Sequence, residues 1–487
     1  MHREQRNPWE LYQPNSKLLR ILPLEISQRF RVLPIDLSPD KLTLATTASL
    51  SAFALAELKA ITTLETVVVI WESATWERYS VVYQQSMQFT SYSARPTLGE
   101  EGNGQEIVRL TEAIISTAWR RRASDIHLEP QREGLLVRFR IDGLLQEYTF
   151  IGEEQAMAVI ARLKILSQMD VSQKYEPQDG HLEMEIEGQI LNLRAATLPV
   201  YRGEKMVLRF LYREVIELTL DQLGLVPAAV EQVQHLVSRP HGLILVTGPT
   251  GCGKTTTLYA ALNYLKAPSL NITSIEDPIE YELPGINQIA VNVQRGMTFA
   301  QGLRGILRQD PDIIMIGEIR DKETADVALR AAITGRLVLS SLHTNDACGA
   351  MLRLLDMGIE PYVITAALTA VIGQRLVRQL CPHCKTNTEL HRAPWTELFE
   401  APGAPWNVYQ AVGCDYCHGT GYYNRSGIFE IMEVNEAMQS LIMRRPELSQ
   451  VQQLARQNNW RPLVHDGWRQ ITAGMTDVAE LTRVLYV

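Results

Sequence analysis

The sequence predicts an α/β protein built around a parallel sheet, and three observations carry that prediction. From about residue 225, short apolar runs alternate with helix-period segments, the pattern of strands that cross over through helices. One run, LILVT (243–247), leads directly into GPTGCGKT (248–255) and then a helix, the strand–loop–helix context of a phosphate-binding loop. Three further apolar runs end in polar clusters: NITSI in EDPIE, DIIMI in GEIRD and LVLSS in LHTND. Carboxyl ends of parallel strands are where this architecture places ligand chemistry.

The 487 residues suggest about three domains. Residues 1–87 read as a small N-terminal α/β domain, with strands at KLTLATT and TVVVIW. Residues 88–105, rich in Ser, Thr, Gly and Glu, read as a linker. Residues 106–222 read as an α+β domain: the helix EIVRLTEAIISTAWRR, then strands DIHLEP, LLVRFRIDGLL, HLEMEIEGQILNLRAATLP and EKMVLRFL. Alternation puts Arg138 and Arg140 on one strand face, and Asp142-Gly143 signals a tight turn. Residues 223–487 hold the parallel-sheet domain, in which VITAALTAVIG (363–373) reads as a buried helix.

Composition bounds the function. Hydrophobic residues at 46% and charged residues at 21% are an ordinary globular balance. The net charge of −8 weighs against general nucleic-acid binding, so no direct nucleic-acid partner is expected. No run approaches the ~20 apolar residues of a membrane span, and the polar opening MHREQRNPWELYQPNSK carries no secretory signal. The expectation is a soluble, cytoplasmic protein that reaches membranes only through partners.

In the loop, glycines let the backbone approach phosphate closely and turn its N–H groups inward, and the helix terminus adds its dipole. Gly248, Pro249, Thr250, Gly251, Cys252, Gly253, Lys254, Thr255 and Thr256 form the nucleotide cradle. Lys254 is expected on the β- and γ-phosphates, and Thr255 on Mg²⁺. The strand ends offer Glu276 and Asp277, then Glu318 with Asp312 at the strand start, then His343. Mg²⁺ takes carboxylate and water oxygens, and an attacking water needs a group to orient it. Glu318 is therefore assigned to Mg²⁺ through water and Glu276 to the base, with the two roles exchangeable. Four of the six cysteines form two CxxC pairs, Cys381/Cys384 in CPHC and Cys414/Cys417 in CDYC. Four thiolates suit a tetrahedral Zn²⁺ that staples a loop-rich insertion. His383 and His418 read as bystanders.

RASDIHLEP, RFRIDGLL, QDGHL, LRAATLPVYRGEKMVLRFL, GPTGCGKTT, IEDPIE, LRQDPDIIMIGEIRD, TGRLVLSSLHTND and QRLVRQLCPHC occur in one order between about 120 and 435. In that string the chain resembles the secretion-superfamily ATPases, specifically the type II secretion and type IV pilus branch. The resemblance implies a PAS-like α+β domain, a RecA-like P-loop ATPase domain and a tetracysteine zinc subdomain over 381–417. It implies a homohexamer whose ATP sites are completed across domain boundaries by Arg194 and Arg209, with Arg304 and Arg308 as further charged contacts. It also implies docking of residues 1–87 on the cytoplasmic domain of an inner-membrane secretion protein, an inner-membrane platform protein as partner, and a peripheral inner-membrane location. The expected activity is ATP hydrolysis that drives a pilus-like filament in type II secretion. The alternatives are a type IV pilus ATPase, a nucleic-acid motor, or a nucleotide-binding scaffold without turnover. Cys252 stands where the family usually has Ser, and a thiol there raises the question of oxidation. Arg336 stands where the family usually has His, which questions phosphate signalling through that segment.

Overall fold

The computed structural model of the chain describes residues 18, 21–22, 24–38, 41–62, 64–73, 75–77, 79–80, 83, 100–211, 218–391 and 405–485. It divides into two compact units, residues 1–211 with 413–420, and residues 212–412 with 421–487. Most of the stretch read as linker, 88–99, lies outside the described residues, but a helix already begins at Glu100, inside it.

The first unit opens with α1 (Leu24–Phe30), β1 (Val32–Ser38), β2 (Lys41–Thr46), α2 (Ala52–Thr62) and β3 (Glu65–Ile70). β1 and β2 are antiparallel, while β2 and β3 are parallel across the α2 crossover. Both expected strands are present. Val32, Leu42, Leu44 and Leu58 bury one face, and Leu33, Trp71, Trp76 and Tyr83 the other.

Then follow α3 (Glu100–Arg120), β4 (Ala123–Gln131), β5 (Gly134–Ile141), β6 (Leu144–Gly152), α4 (Glu153–Leu166), β7 (Gln178–Ile186), β8 (Gln189–Val200) and β9 (Gly203–Leu211). The strands form one antiparallel sheet in the order β6-β5-β4-β9-β8-β7. The β5–β6 turn falls on Asp142 and Gly143, both at positive φ (47° and 88°), as a two-residue hairpin turn of matching twist requires. Leu135, Val137, Phe139 and Ile141 are buried while the alternate arginines face outward.

The second unit contains α5 (Pro227–Val237), β10 (Gly242–Thr247), α6 (Lys254–Leu265), β11 (Ile272–Glu276), β12 (Asn287–Ala290), α7 (Phe299–Ile306), β13 (Ile313–Ile316), α8 (Lys322–Ile333) and β14 (Leu337–Leu342). It continues with α9 (Ala347–Asp356), α10 (Pro361–Ala367), β15 (Leu368–Leu380), β16 (Thr386–Leu390), β17 (Trp406–Gln410) and β18 (Tyr422–Glu433). Four helices close it: α11 (Glu436–Ile442), α12 (Leu448–Gln457), α13 (Leu463–Thr472) and α14 (Val478–Leu485). The main sheet runs β12-β11-β13-β14-β10-β15-β18, with β18 antiparallel at one edge. Both faces are covered. Leu243, Leu245, Ile314 and Ile316 pack toward α7–α9, and Ile244, Val246, Ile313 and Met315 toward α5 and α6. This double burial is why the strands read as unbroken apolar runs.

The segment 363–373 corrects the helix reading. Its first residues belong to α10, but from Leu368 it is strand β15, parallel to β10. A short apolar run carries no period that separates a buried helix from a buried strand, and the vacant sheet position beside β10 decides.

Candidate functional site

The phosphate loop crosses from β10 to α6 at the carboxyl end of the sheet. Gly248 has φ 154°, and a Cβ there would stand 2.5 Å from the Gln374 carbonyl oxygen, so only glycine fits. Gly253 takes the left-handed conformation (φ 89°) that turns the loop into the helix. Lys254 Nζ donates to the carbonyls of Gly248 (2.9 Å) and Pro249 (3.0 Å), folded into the cradle its own loop makes. Burial pushes its ammonium below the ordinary value. The Thr255 hydroxyl is exposed in the first turn of α6, while buried Thr257, two residues on, donates to Gln374 Oε1 at 2.7 Å.

Sheet order brings the expected strand ends to this edge: β14 lies beside β10, then β13, then β11. At the end of β13, Glu318 accepts from Arg320 and sits 3.2 Å from His343 Nε2, which follows β14. Burial alone would raise the Glu318 pKa. The Arg320 hydrogen bond and charge, with His343, outweigh it and hold the carboxylate below its usual range. Thr344 joins this group to the base of the loop, its backbone N–H donating to Thr247 Oγ1 at 3.1 Å.

Glu276 is different. It is buried and accepts from Ser274 Oγ (2.7 Å), Gln288 Nε2 (3.0 Å) and the Tyr259 hydroxyl. Three donors from β11, β12 and α6 hold both of its oxygens, so in this conformation it is a locked carboxylate rather than an open base. Asp277 is exposed and pairs with Arg320 at 3.4 Å.

Asp312 and Arg336 lie away from this group, Asp312 at the strand start where the sequence placed it. Asp312 accepts from the Asn271 N–H at 2.7 Å, at the amino end of β13, away from the phosphate loop. Arg336 precedes β14 and caps Thr334 O at 2.9 Å. It is separated from His343 by the full strand, roughly 20 Å at 3.3 Å per residue. Within this unit, Arg336 therefore lies at the far end of the strand from His343. Cys252 is buried and desolvation raises its thiol pKa, although Lys254 and Arg375 pull the other way. A buried thiol held in its neutral form is a poor target for oxidation.

In the first unit, Arg209 and Arg194 are register partners on β9 and β8, on one face. Arg209 donates to Asp125 at 2.8 Å and Arg194 to Asp179 at 3.2 Å. Arg304 pairs with Glu323 at 2.8 Å and Arg308 is exposed.

Cys381, Cys384, Cys414 and Cys417 come together with all four sulfurs within 4.8 Å of one another, and neither His383 nor His418 belongs to the group. The Cys414–Cys417 sulfur separation of 3.8 Å matches the edge of a tetrahedron with metal–sulfur bonds of ~2.3 Å. The donor set fits a thiolate-preferring ion such as Zn²⁺.

Sequence reasoning missed the supporting residues. Arg320 was within view, two positions past Glu318. Gln374 and Arg375 follow directly on the parallel pairing of β15 with β10, which ends at Gly373: the same apolar-run-then-polar signal, hidden because the run read as helix. Tyr259 and Gln288 carry no local signal and reach Glu276 only through the tertiary fold.

The family described as Type II/IV secretion system protein matches residues 100–483, and the MshEN domain matches residues 10–85. Type II secretion system protein E of Pseudomonas aeruginosa is 45% identical over 388 residues, covering 80% of this chain and 77% of that protein. The type IV pilus assembly ATPase TfpB of Acinetobacter baylyi is 39% identical over 490 residues, covering 96% of this chain and 84% of its own. Among solved structures, the pilus retraction motor PilT with bound ADP superposes with a TM-score of 0.52 at 26% identity, covering 76% of this chain and 96% of PilT.

Proposed function

The chain belongs to the Type II/IV secretion system protein family, and from that premise we propose that it hydrolyses ATP at residues 248–255 to drive assembly of a pilus-like filament in type II secretion. The observation that carries this reading is the convergence of three strand ends, the phosphate loop after β10, Glu318 after β13 and His343 after β14. Backbone N–H groups of the loop and Lys254 bind the phosphates, and Lys254 must leave the Gly248 and Pro249 carbonyls to do so. The exposed Thr255 hydroxyl and the ionised Glu318 carboxylate are the groups that would hold Mg²⁺, which when bound neutralises phosphate charge. His343 orients Glu318. Glu276 serves as base after its donors let go. Arg194 and Arg209 supply the positive charge that phosphoryl transfer requires.

The chain works as a homohexamer peripheral to the inner membrane. Residues 1–87 dock the cytoplasmic domain of an inner-membrane secretion protein, and the assembled ring acts on an inner-membrane platform protein. Zn²⁺ in the four-cysteine group holds the segment between the CxxC pairs. These statements rest on family membership and on the fit of the donor sets. No helix among the described residues is long and apolar enough to cross a membrane. A second reading, type IV pilus assembly, is favoured by one observation: the TfpB match extends over 96% of this chain, against 80% for the secretion protein.

Phosphate release from ATP and Mg²⁺, by the full chain fused to a hexameric scaffold, tests the enzymatic reading. Lys254→Ala, Glu276→Ala and Glu318→Ala should each lower turnover at least ~100-fold, the scale of lost charge stabilisation at a reacting centre. ATP binding without turnover in the forced ring would favour a scaffold instead. Deleting the gene and assaying exoprotein release and surface pili separates the two filament readings.

A further inference from the structure

Arg375 lies just past the end of the parallel pairing of β15 with β10, beside the phosphate loop, and its partners are unusual for a half-buried arginine. Nη1 donates to the Gln374 carbonyl at 2.9 Å and Nη2 to the Asn345 carbonyl at 2.6 Å. Among the described residues no carboxylate lies within 4.0 Å of it. Other arginines of the same unit are neutralised: Arg378 by Glu480 at 2.8 Å, Arg320 by Glu318 and Asp277. The nearest acids are engaged elsewhere. Asp346 accepts from Gly349 N (2.6 Å) and Gln452 (3.3 Å), and Glu430 from Ala347 N (2.6 Å) and Leu463 N (3.1 Å).

The guanidinium points at the loop. A Cβ on Gly248 would stand 3.1 Å from Nη1, and Gly248 is the residue whose carbonyl holds Lys254. Two cations therefore flank the first loop residue, each bonded to neutral carbonyls, each in the field of the other. Burial also pushes the Arg375 pKa down. Glu318 lies in the field of Lys254, and Asp346 and Glu430 lie in that of Arg375, but among the described residues none of the three forms an ion pair with either cation, so the desolvated like charges are only partly compensated and an arriving anion relieves them. Guanidinium geometry suits phosphate oxygens, and five donors let it gain one without losing both carbonyls.

We propose that Arg375 is a further residue of the nucleotide site, a guanidinium of the same unit as the phosphate loop that takes a phosphate oxygen of the bound nucleoside polyphosphate. Because Nη2 also holds Asn345, it ties the occupied loop to the segment that follows His343. The inference rests on the reading of residues 248–255 as an ATP site.

The test measures Mg²⁺-dependent affinity for ATP, ADP and inorganic pyrophosphate with the full chain, for the wild type, Arg375→Gln and Arg375→Lys. Gln keeps a donor for the carbonyls and removes the charge, whereas Lys keeps the charge. Arg375→Gln should weaken all three ligands about 10- to 100-fold, the worth of one charge-assisted hydrogen bond. Its affinity should also fall less steeply with salt, its ligand-free melting temperature should stay near wild type, and Arg375→Lys should recover most of the loss. Unchanged affinity in Arg375→Gln, or equal loss in both variants, overturns the proposal. Absence of ATP binding by the wild type overturns the site reading itself, and the inference with it. Should Arg375→Gln fail to fold, a structure of the wild-type chain with ADP and Mg²⁺ decides. A guanidinium nitrogen within hydrogen-bond distance of a phosphate oxygen supports the proposal, and one that contacts carbonyls alone overturns it.

Discussion

At the residue scale, the molecule places acids of one type in opposite states. Glu318 is kept charged by Arg320, whereas Glu430 on β18 is buried and its pKa is pushed up to about 7. Burial is the dominant cause for Glu430. The backbone N–H of Ala347 opposes it, Asp346 adds to it, and the N–H of Leu463 and Arg375 oppose it. The two N–H groups open helices α9 and α13, so one carboxyl group joins two helix starts to the sheet. Folded Glu430 keeps its proton to about pH 7, against an ordinary value of 4.5. The folded chain therefore binds more protons over that window, and this residue's contribution to stability falls as pH rises from 4.5 to about 7, then levels off. Glu430→Gln removes the slope. Relative to wild type, the variant should gain up to about 3 kcal/mol between pH 4.5 and 8, read from urea midpoints across that range. A parallel pH dependence in both proteins would rule out this role.

At the scale of elements, caps and staples do what the hydrophobic pattern leaves undone. Asp321, Asp346 and Asn435 cap α8, α9 and α11 through side-chain acceptors, each worth about 1 kcal/mol. The C-terminal helix α14 is pinned by Glu480, which is buried and accepts from both Arg378 and Arg483. Between the CxxC pairs, the described structure consists of the two-stranded β16–β17 sheet. So small an element is marginal alone, which makes the cysteine group its natural staple. Metal analysis of the purified chain should find about one zinc per chain. Cys414→Ser with Cys417→Ser should lose it and expose the 381–421 segment to protease at sites silent in the wild type. Full zinc content in that double variant would exclude this cluster as the site.

At the scale of the whole molecule, the residues proposed for the chemistry are divided between the two compact units. The phosphate loop, Glu318 and His343 belong to the second, and Arg194 and Arg209 to the first. Should the arginines serve phosphoryl transfer as proposed, their removal affects turnover and spares the second unit's own hold on nucleotide. Arg209→Ala in the forced hexamer should keep ATP affinity within a few-fold. It should lose turnover by about 10³-fold, the lower range for a supplied arginine. Equal losses in binding and turnover would mean that Arg209 only supports its own sheet through Asp125.

Much of this was legible in the chain itself. The strand–loop–helix at 243–265, the hairpin at Asp142-Gly143, the alternating face of β5 and the pairing of the four cysteines all follow from local spacing, which sequence records directly. Residues 363–373 were not legible, because a run buried on both faces looks the same as helix or strand until its neighbour exists. With that run went Gln374 and Arg375. The remaining differences are matters of which partner. Sequence names Glu276 and Glu318 alike as carboxylates that follow apolar runs. Chain order already puts Asp312 at the start of its strand and Glu318 past its end; only the tertiary structure brings Glu318 to His343, and only packing surrounds Glu276 with Tyr259 and Gln288. The physical reason is that strand order in a sheet and contacts between distant segments are set by burying both sheet faces at once, a condition on the whole chain that no local window contains.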